Sequence, residues 1–338
     1  MKSRKLLVGT VAAIAMLILI LDGRCALYGA AEGLELCIRT VIPSLFPFFI
    51  LSIGLVGSWT GLTIVPLRLL GKILHIPSGV ESILIPGFLG GYPVGAQVIA
   101  ECYRRNQITA DTAERLSTFC NNAGPAFIFG IISQFFPGMK YCWILWGVHI
   151  VSAVLVALVL PKAKQCKPST MSVKAMRLSE IMNRALRATA TVCGWVILFR
   201  VILTFLDRWL LWLLPLPLRP LVIGIIELTN GCCALADTPQ LGLRMIIASG
   251  ILALGGFSVW LQTASVLSGL SVKTFIFGKI LHGVFSVIVM CIIQCLLPSE
   301  FRYVPEFLVV IIAAAVIVFV SFRLFFGIRC SIPTETVV

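Results

Sequence analysis

The chain has 338 residues, of which 59% are hydrophobic and only 12% charged, with a mean hydropathy of +1.03. A water-soluble domain carries roughly 25% charged residues, so these charges are too few to cover a soluble surface. The net charge is +13, yet no basic stretch is interleaved with aromatics in a soluble segment, which argues against a nucleic-acid partner.

A spanning helix takes about 20 apolar residues. The chain offers apolar runs at 6–21, 41–58, 82–100, 116–135, 141–160, 188–206, 221–236, 243–268, 274–297 and 305–326. They predict an all-α, polytopic membrane helix bundle with lipid around it and a homo-oligomer allowed. Lys2, Arg4 and Lys5 before the first run resemble a signal peptide or a first spanning helix. Asp22 and Arg24 follow the run directly and no soluble exported segment comes after, which favours a retained helix. The runs at 82–100 and 221–236 are short and interrupted by Gly, Pro or polar residues. They read as re-entrant or discontinuous segments.

Basic residues mark cytoplasmic joints. Here they are Lys2, Arg4 and Lys5; Arg104, Arg105 and Arg115; Lys162, Lys164, Lys167, Lys174, Arg177, Arg184 and Arg187; and Arg323 and Arg329. All fall on one side only if the two interrupted segments return to the side they entered from. That places the N-terminus in the cytoplasm of a multi-pass cell-membrane protein. The expected organisation is an N-terminal membrane helix and external joint (1–40), a first repeat (41–160), a basic cytoplasmic linker (161–187) and a second repeat (188–330). Each half has a spanning helix, a short broken segment, a helix with a Gly-rich polar centre and another spanning helix. Because the halves enter from opposite sides, the layout is an inverted-topology repeat.

Four stretches carry chemistry. In the first, Gly90, Gly91, Tyr92 and Pro93 cannot continue a helix, since Pro93 lacks a donor and the paired glycines cost about 1 kcal/mol each relative to Ala. Such a break in hydrocarbon persists only if buried in protein or facing a cavity. It leaves a helix N-terminus near Pro93, ahead of Gln97, that favours an anionic ligand. The alternative is a kinked packing helix, with Gly87, Gly91 and Gly95 as a small-residue contact face. In the second stretch, Asn121 and Asn122 precede Gly124 and Pro125; two adjacent amides in an apolar run are costly unless hydrogen-bonded. Either ligand contact or interhelical bonding would satisfy them. The third holds Glu227, Thr229 and Asn230. Glu227 is the only acidic residue well inside an apolar run, and so a candidate for ion coupling or a structural acid. The fourth holds Gly255, Gly256, Ser258 and Gln262, where Ser258 and Gln262 share a helix face. His149, His282 and Arg200 also lie in apolar runs. Arg200 is placed to snorkel, to pair with Glu227 or to meet an anion.

The twelve cysteines are scattered without a CxxC, so neither a metal cluster nor a disulfide framework is expected. Cys25 and Cys37 share one joint and pair only if it faces an oxidising space. Nothing calls for a cofactor. No HExxH, GxSxG or paired intramembrane aspartate occurs, so an enzyme is not expected.

Gly90-Gly91-Tyr92-Pro93-Val94-Gly95-Ala96-Gln97, then Cys120-Asn121-Asn122-Ala123-Gly124-Pro125-Ala126-Phe127, with Glu227–Gly231 and Gly255–Gln262 in the second half, resembles the YlbJ-type sporulation integral membrane proteins. These belong to the wider nucleoside-recognition, or Gate-domain, membrane family. The resemblance spans about residues 40 to 330, and that family is similar in layout to concentrative nucleoside transporters. It implies a sporulating cell and movement of dipicolinic acid, a small aromatic dianion, across the outer forespore membrane. Gln97 departs from the basic residue that follows the same motif in many relatives. The expected function is therefore a transporter of a small anionic solute. A non-transporting assembly factor of spore morphogenesis and a nucleoside transporter are the alternatives.

Overall fold

In a computed structural model, residues 2–59, 65–163 and 176–296 are described. The apolar run at 305–326, the tail cations Arg323 and Arg329, and Lys164, Lys167 and Lys174 of the linker lie outside them. The described chain is helical, with no strand, as expected for segments that must satisfy their own backbone in lipid. Among the described residues five stretches are long and apolar enough to cross a membrane: Gly23–Leu55, Met139–Val159, Leu178–Trp209, Leu241–Val266 and Val272–Leu296. The protein is a polytopic helical membrane bundle.

Helix α1 spans Lys2–Leu21. Helix α2 (Gly23–Leu36) runs through a π-helical turn, Cys37–Val41, into α3 (Ile42–Trp59). The short α4 covers Val65–Ile73. Helices α5 (Leu84–Leu89) and α6 (Val94–Arg104) flank the Gly-Pro interruption, and α7 (Ala110–Phe119) ends at the paired asparagines. After π- and 3-10-helical turns at Ala126–Phe135 comes α8 (Met139–Val159). The second half holds α9 (Leu178–Trp209), α10 (Arg219–Ile226), α11 (Leu228–Cys233), α12 (Leu241–Leu254), α13 (Gly256–Val266) and α14 (Val272–Leu296).

The expected external joint before residue 40 is corrected by this order. Residues 23–36 are helical and lie along α9. Gly29 and Gly33 allow the approach, since a Cβ on either would meet Thr204 or the Ile197 backbone within 3.0 Å. The charges that read as a joint are paired across the contact: Asp22 with Arg208 at 2.5 Å, and Glu32 with Arg200. Arg200 is therefore held by Glu32 rather than by Glu227. Cys25 and Cys37 are free and lie on one continuous helical path. Twelve residues of helix separate them by about 18 Å, far beyond disulfide reach.

Side-chain caps on carbonyls sort the chain into two faces. On one, the Arg115 guanidinium donates to Leu74 O, Ala157 O and Pro161 O at 2.8–2.9 Å, and Glu114 accepts from Ser271 N–H at 2.8 Å. On the other, Arg244 donates to Phe135 O and Thr238 O, and Gln294 donates to Gly242 O. So Leu74, the start of α7, the end of α8 and the start of α14 share a face. The end of the Ala126–Phe135 turns, the start of α12 and the end of α14 share the opposite one. The α5–α6 unit leaves and returns to the first face; the α10–α11 unit leaves and returns to the second. Both are helical hairpins, and they enter from opposite sides, as the charge pattern predicts. Helix α14 packs on α7, α8 and α12, tying the two halves together.

Close backbone approach holds the first hairpin in place. A Cβ built on Gly95 of α6 would fall on the Cys120 carbonyl oxygen, whereas nothing lies within 4 Å of a Cβ on Gly147. Forcing extra atoms into such a contact costs about 1–3 kcal/mol. Gly95→Val should therefore lower the melting temperature of the purified protein clearly, and Gly147→Ala should leave it unchanged. Equal melting of G95V and the unaltered protein would contradict the packing described.

Candidate functional site

Four interruptions of the helical backbone meet near the middle of the bundle. The first is the tip of the α5–α6 hairpin, where Gly91 has φ of 75° and the Tyr92–Pro93 peptide is cis. The second is residues 120–125, between α7 and the following turns. The third is the tip of the α10–α11 hairpin at Glu227, whose backbone is extended. The fourth is Gly255 between α12 and α13, with φ of 80°, a left-handed conformation that glycine adopts without a Cβ clash. A Cβ on Gly124 would stand 2.8 Å from Gly91 Cα, and one on Gly255 would stand 3.4 Å from the Tyr92 hydroxyl. A Cβ on Gly256 would stand 2.6 Å from Gly224 O of the second hairpin.

Each break frees backbone groups, and nearby side chains take most of them. Asn121 Oδ1 accepts from Ala96 N–H at 3.3 Å, and Asn121 Nδ2 donates to Thr263 Oγ1 at 3.0 Å. Asn122 Nδ2 donates to Gly87 O and Phe119 O. Tyr92 Oη donates to Leu252 O at 3.2 Å, and Trp260 Nε1 to Leu254 O at 2.8 Å. His149 Nε2 accepts from Ala123 N–H at 3.1 Å. The Glu227 carboxylate caps α11: one oxygen accepts from Asn230 N–H and Nδ2 at 2.7 and 2.8 Å, and the other from Ser258 Oγ at 3.3 Å.

Between the breaks lies a narrow cavity, partly open to the outside. Polar groups come from Glu227, Thr229 and Gln262, and backbone from Gly91 and Gly124. The rings of Phe49, Tyr92 and Phe127 line it, with Leu45, Ala123, Ala126, Val192, Leu228 and Val259. It is mostly apolar with a few convergent polar groups, the usual make-up of a small-molecule pocket.

Of the residues singled out in the sequence, Gly91, Tyr92, Gly124, Glu227, Thr229 and Gln262 border this cavity. Asn121, Asn122, Asn230 and Ser258 are buried behind it, bonded to backbone, to Thr263 or to Glu227. Gly90, Pro93, Gly255 and Gly256 shape the breaks without lining the space. Gln97 is exposed on α6 and stands away from the cavity. The free N–H groups expected at the start of α6 are partly taken, since Ala96 N–H is held by Asn121.

The sequence reading passed over Lys279, which is 0% exposed in the middle of α14. Its Nζ lies 5.0 Å from the Tyr92 ring centroid, donates to Asn121 O at 3.2 Å, and sits 2.9 Å from His282 Nδ1. The signal was available: a lysine inside an apolar run, one helical turn from a histidine, is as much a functional flag as an acid. Among the described residues no group of three or more His, Cys, Asp or Glu is placed to hold a metal ion.

The Glu227 cap can be tested directly. Glu227→Ala removes the acceptor for Asn230 and Ser258 and should cost about 1–3 kcal/mol of unfolding free energy. Glu227→Gln keeps an acceptor oxygen and should cost less. Thermal unfolding of both purified variants checks the order; an unchanged E227A would refute the capping role.

No family model matches the chain, and no solved structure matches it. Among curated proteins, it is similar to a sporulation integral membrane protein, YlbJ, of Bacillus subtilis (strain 168). The two are 29% identical over an alignment of 305 residues that covers 76% of this chain and 74% of the relative. That similarity, over a helical membrane bundle whose motifs carry the same resemblance, supports assigning the chain to the YlbJ-type sporulation integral membrane proteins.

Proposed function

We propose that the protein is a membrane transporter of a small anionic solute, with dipicolinic acid the substrate during sporulation. The observation that carries this reading is the convergence of four helix breaks, from two hairpins entering by opposite faces, on one cavity bordered by an ionisable side chain. Broken helices are tolerated in a membrane where they line a cavity, and paired inverted breaks are a recurrent transporter arrangement. A structural scaffold has no need of them. The rings of Phe49, Tyr92 and Phe127 suit a flat aromatic solute, and Gln262 and Thr229 supply polar side chains for its carboxylates.

Glu227 is the ion-coupling residue in this scheme. A carboxylate in the cavity repels an anion, so Glu227 binds a proton when the anion enters. Protonation relieves like-charge repulsion in a low-dielectric site and links proton movement to solute movement. The resemblance implies the outer forespore membrane, and the relative's printed name is that of an integral membrane protein of sporulation. The cations at Arg104, Arg105, Arg115, Lys162, Arg177, Arg184 and Arg187 favour a cytoplasmic linker face and N-terminus.

Reconstitution into liposomes with labelled dipicolinate tests the proposal. Uptake should be saturable, faster with an imposed proton gradient, and reduced at least about tenfold in Gly124→Leu, whose Cβ alone would stand 2.8 Å from the Gly91 backbone and displace the tip of the first hairpin at the cavity. Gly147→Ala should transport normally. Uridine uptake without dipicolinate uptake would favour a nucleoside transporter. Indifference to both, with normal spore phenotypes for G124L, would favour an assembly factor.

A further inference from the structure

We infer that Lys279 and His282 form a second proton-binding site, distinct from Glu227, that is loaded when an anion occupies the cavity. The inference rests on the anion-binding reading above. Three basic side chains are buried together: Lys279 and His282 on α14, each 0% exposed, and His149 on α8, 2% exposed, with the two histidine rings 4.6 Å apart. Hydrogen bonding fixes where protons stand. His149 Nε2 accepts from Ala123 N–H, so the neutral ring carries its hydrogen on Nδ1, which has no partner among the described residues. His282 Nε2 lies 2.9 Å from His149 O, which can only accept, so this nitrogen carries a hydrogen. His282 Nδ1 is then left facing Lys279 Nζ across 2.9 Å. A single proton can sit on either atom: an ammonium donates to the imidazole, or an imidazolium donates to the amine. No heavy atom has to move.

No counter-ion offsets that charge. Among the described residues no carboxylate lies within ion-pair distance of Lys279. Helix α7 and the break after it bring Asn121 O, and the first hairpin brings Tyr92. Glu114 and Arg115 of α7 are bound at the outer end, to Ser271 and to the Leu74, Ala157 and Pro161 carbonyls. Helix α8 brings His149 only, and α12 has Arg244 at its far end, bound to Thr238 and Phe135. A buried unpaired cation is costly in a membrane, so the proton seat is empty until a negative charge arrives.

Two residues connect the seat to the cavity. Tyr92 lines the cavity and carries Lys279 against its ring; Ala123 lines the cavity and donates its N–H to His149. An anion in the cavity stabilises the proton on Lys279–His282, and by reciprocity the proton strengthens anion binding. Glu227 and the Lys279–His282 pair together would take up two protons with a dianion.

Calorimetric titration of the purified full-length protein with dipicolinate, at one pH in two buffers of different ionisation heat, counts protons taken up per anion bound. Lys279→Gln keeps amide donors for Asn121 O and His282, removing the amine and covering His282 Nδ1 with an amide N–H so that neither side chain takes the proton; Lys279→Met combined with His282→Gln is the second variant should K279Q not melt cooperatively. Uptake in K279Q should be about one proton lower than in the unaltered protein. Its affinity should also fall less steeply with rising pH, by up to about tenfold less per pH unit. An unchanged proton count in K279Q, or uptake that vanishes in E227Q alone, overturns the inference and leaves the transport reading standing. A well-folded unaltered protein that binds no dipicolinate overturns both.

Discussion

A helix broken inside a membrane must find partners for its freed backbone groups within the protein, because lipid offers none. The centre of this molecule is organised by that requirement. Gly87 O, Phe119 O, Asn121 O, Leu252 O, Leu254 O and the N–H groups of Ala96, Ala123 and Asn230 are each taken by a side chain. Two of these bonds cross from one half of the chain to the other, and a side-chain bond from Asn121 makes a third crossing. Tyr92 of the first half caps the end of α12, Asn121 reaches Thr263 of α13, and Lys279 reaches back to Asn121. The two halves are tied to each other where each is least regular.

The same requirement decides which polar residues are left to face the cavity. Asn121 and the Nδ2 of Asn122 are taken by the break beside them. Glu227 is bound along one edge as a helix cap, yet it still borders the open space, as do Thr229 and Gln262. The lining is otherwise apolar and aromatic. In the transport reading proposed above, a site of this composition would select by shape and by a small number of charges.

Much of the fold was legible in the sequence because its signals are local. Gly90-Gly91 with Pro93, Gly124-Pro125 and Gly255-Gly256 interrupt helices whatever surrounds them, and the cation count required both hairpins to return to the side they entered from. What could not be read depended on tertiary partners. Asn121 and Asn122 have the same appearance in sequence whether they serve a ligand or a carbonyl. The segment 22–40 resembled a polar joint because Asp22, Glu32 and their partners Arg208 and Arg200 are far apart in the chain; paired, they allow a helix to continue. Lys279 was hidden by its apolar neighbours, and its meaning appears only with Asn121, Tyr92 and His282 around it.

The central claim is that both hairpins re-enter, from opposite faces, so that their tips meet. Single cysteines at Ser78, Asn106, Pro217 and Gln240, in a background without the native cysteines, can be labelled with an impermeant maleimide in sealed vesicles of known orientation. Positions 78 and 106 stand in turns that flank the first hairpin; 217, in the 3-10 helix Leu216–Leu218, and 240, just before α12, flank the second. The account predicts that 78 and 106 are labelled from one side and 217 and 240 from the other. Labelling of the two ends of either hairpin from different sides would contradict it.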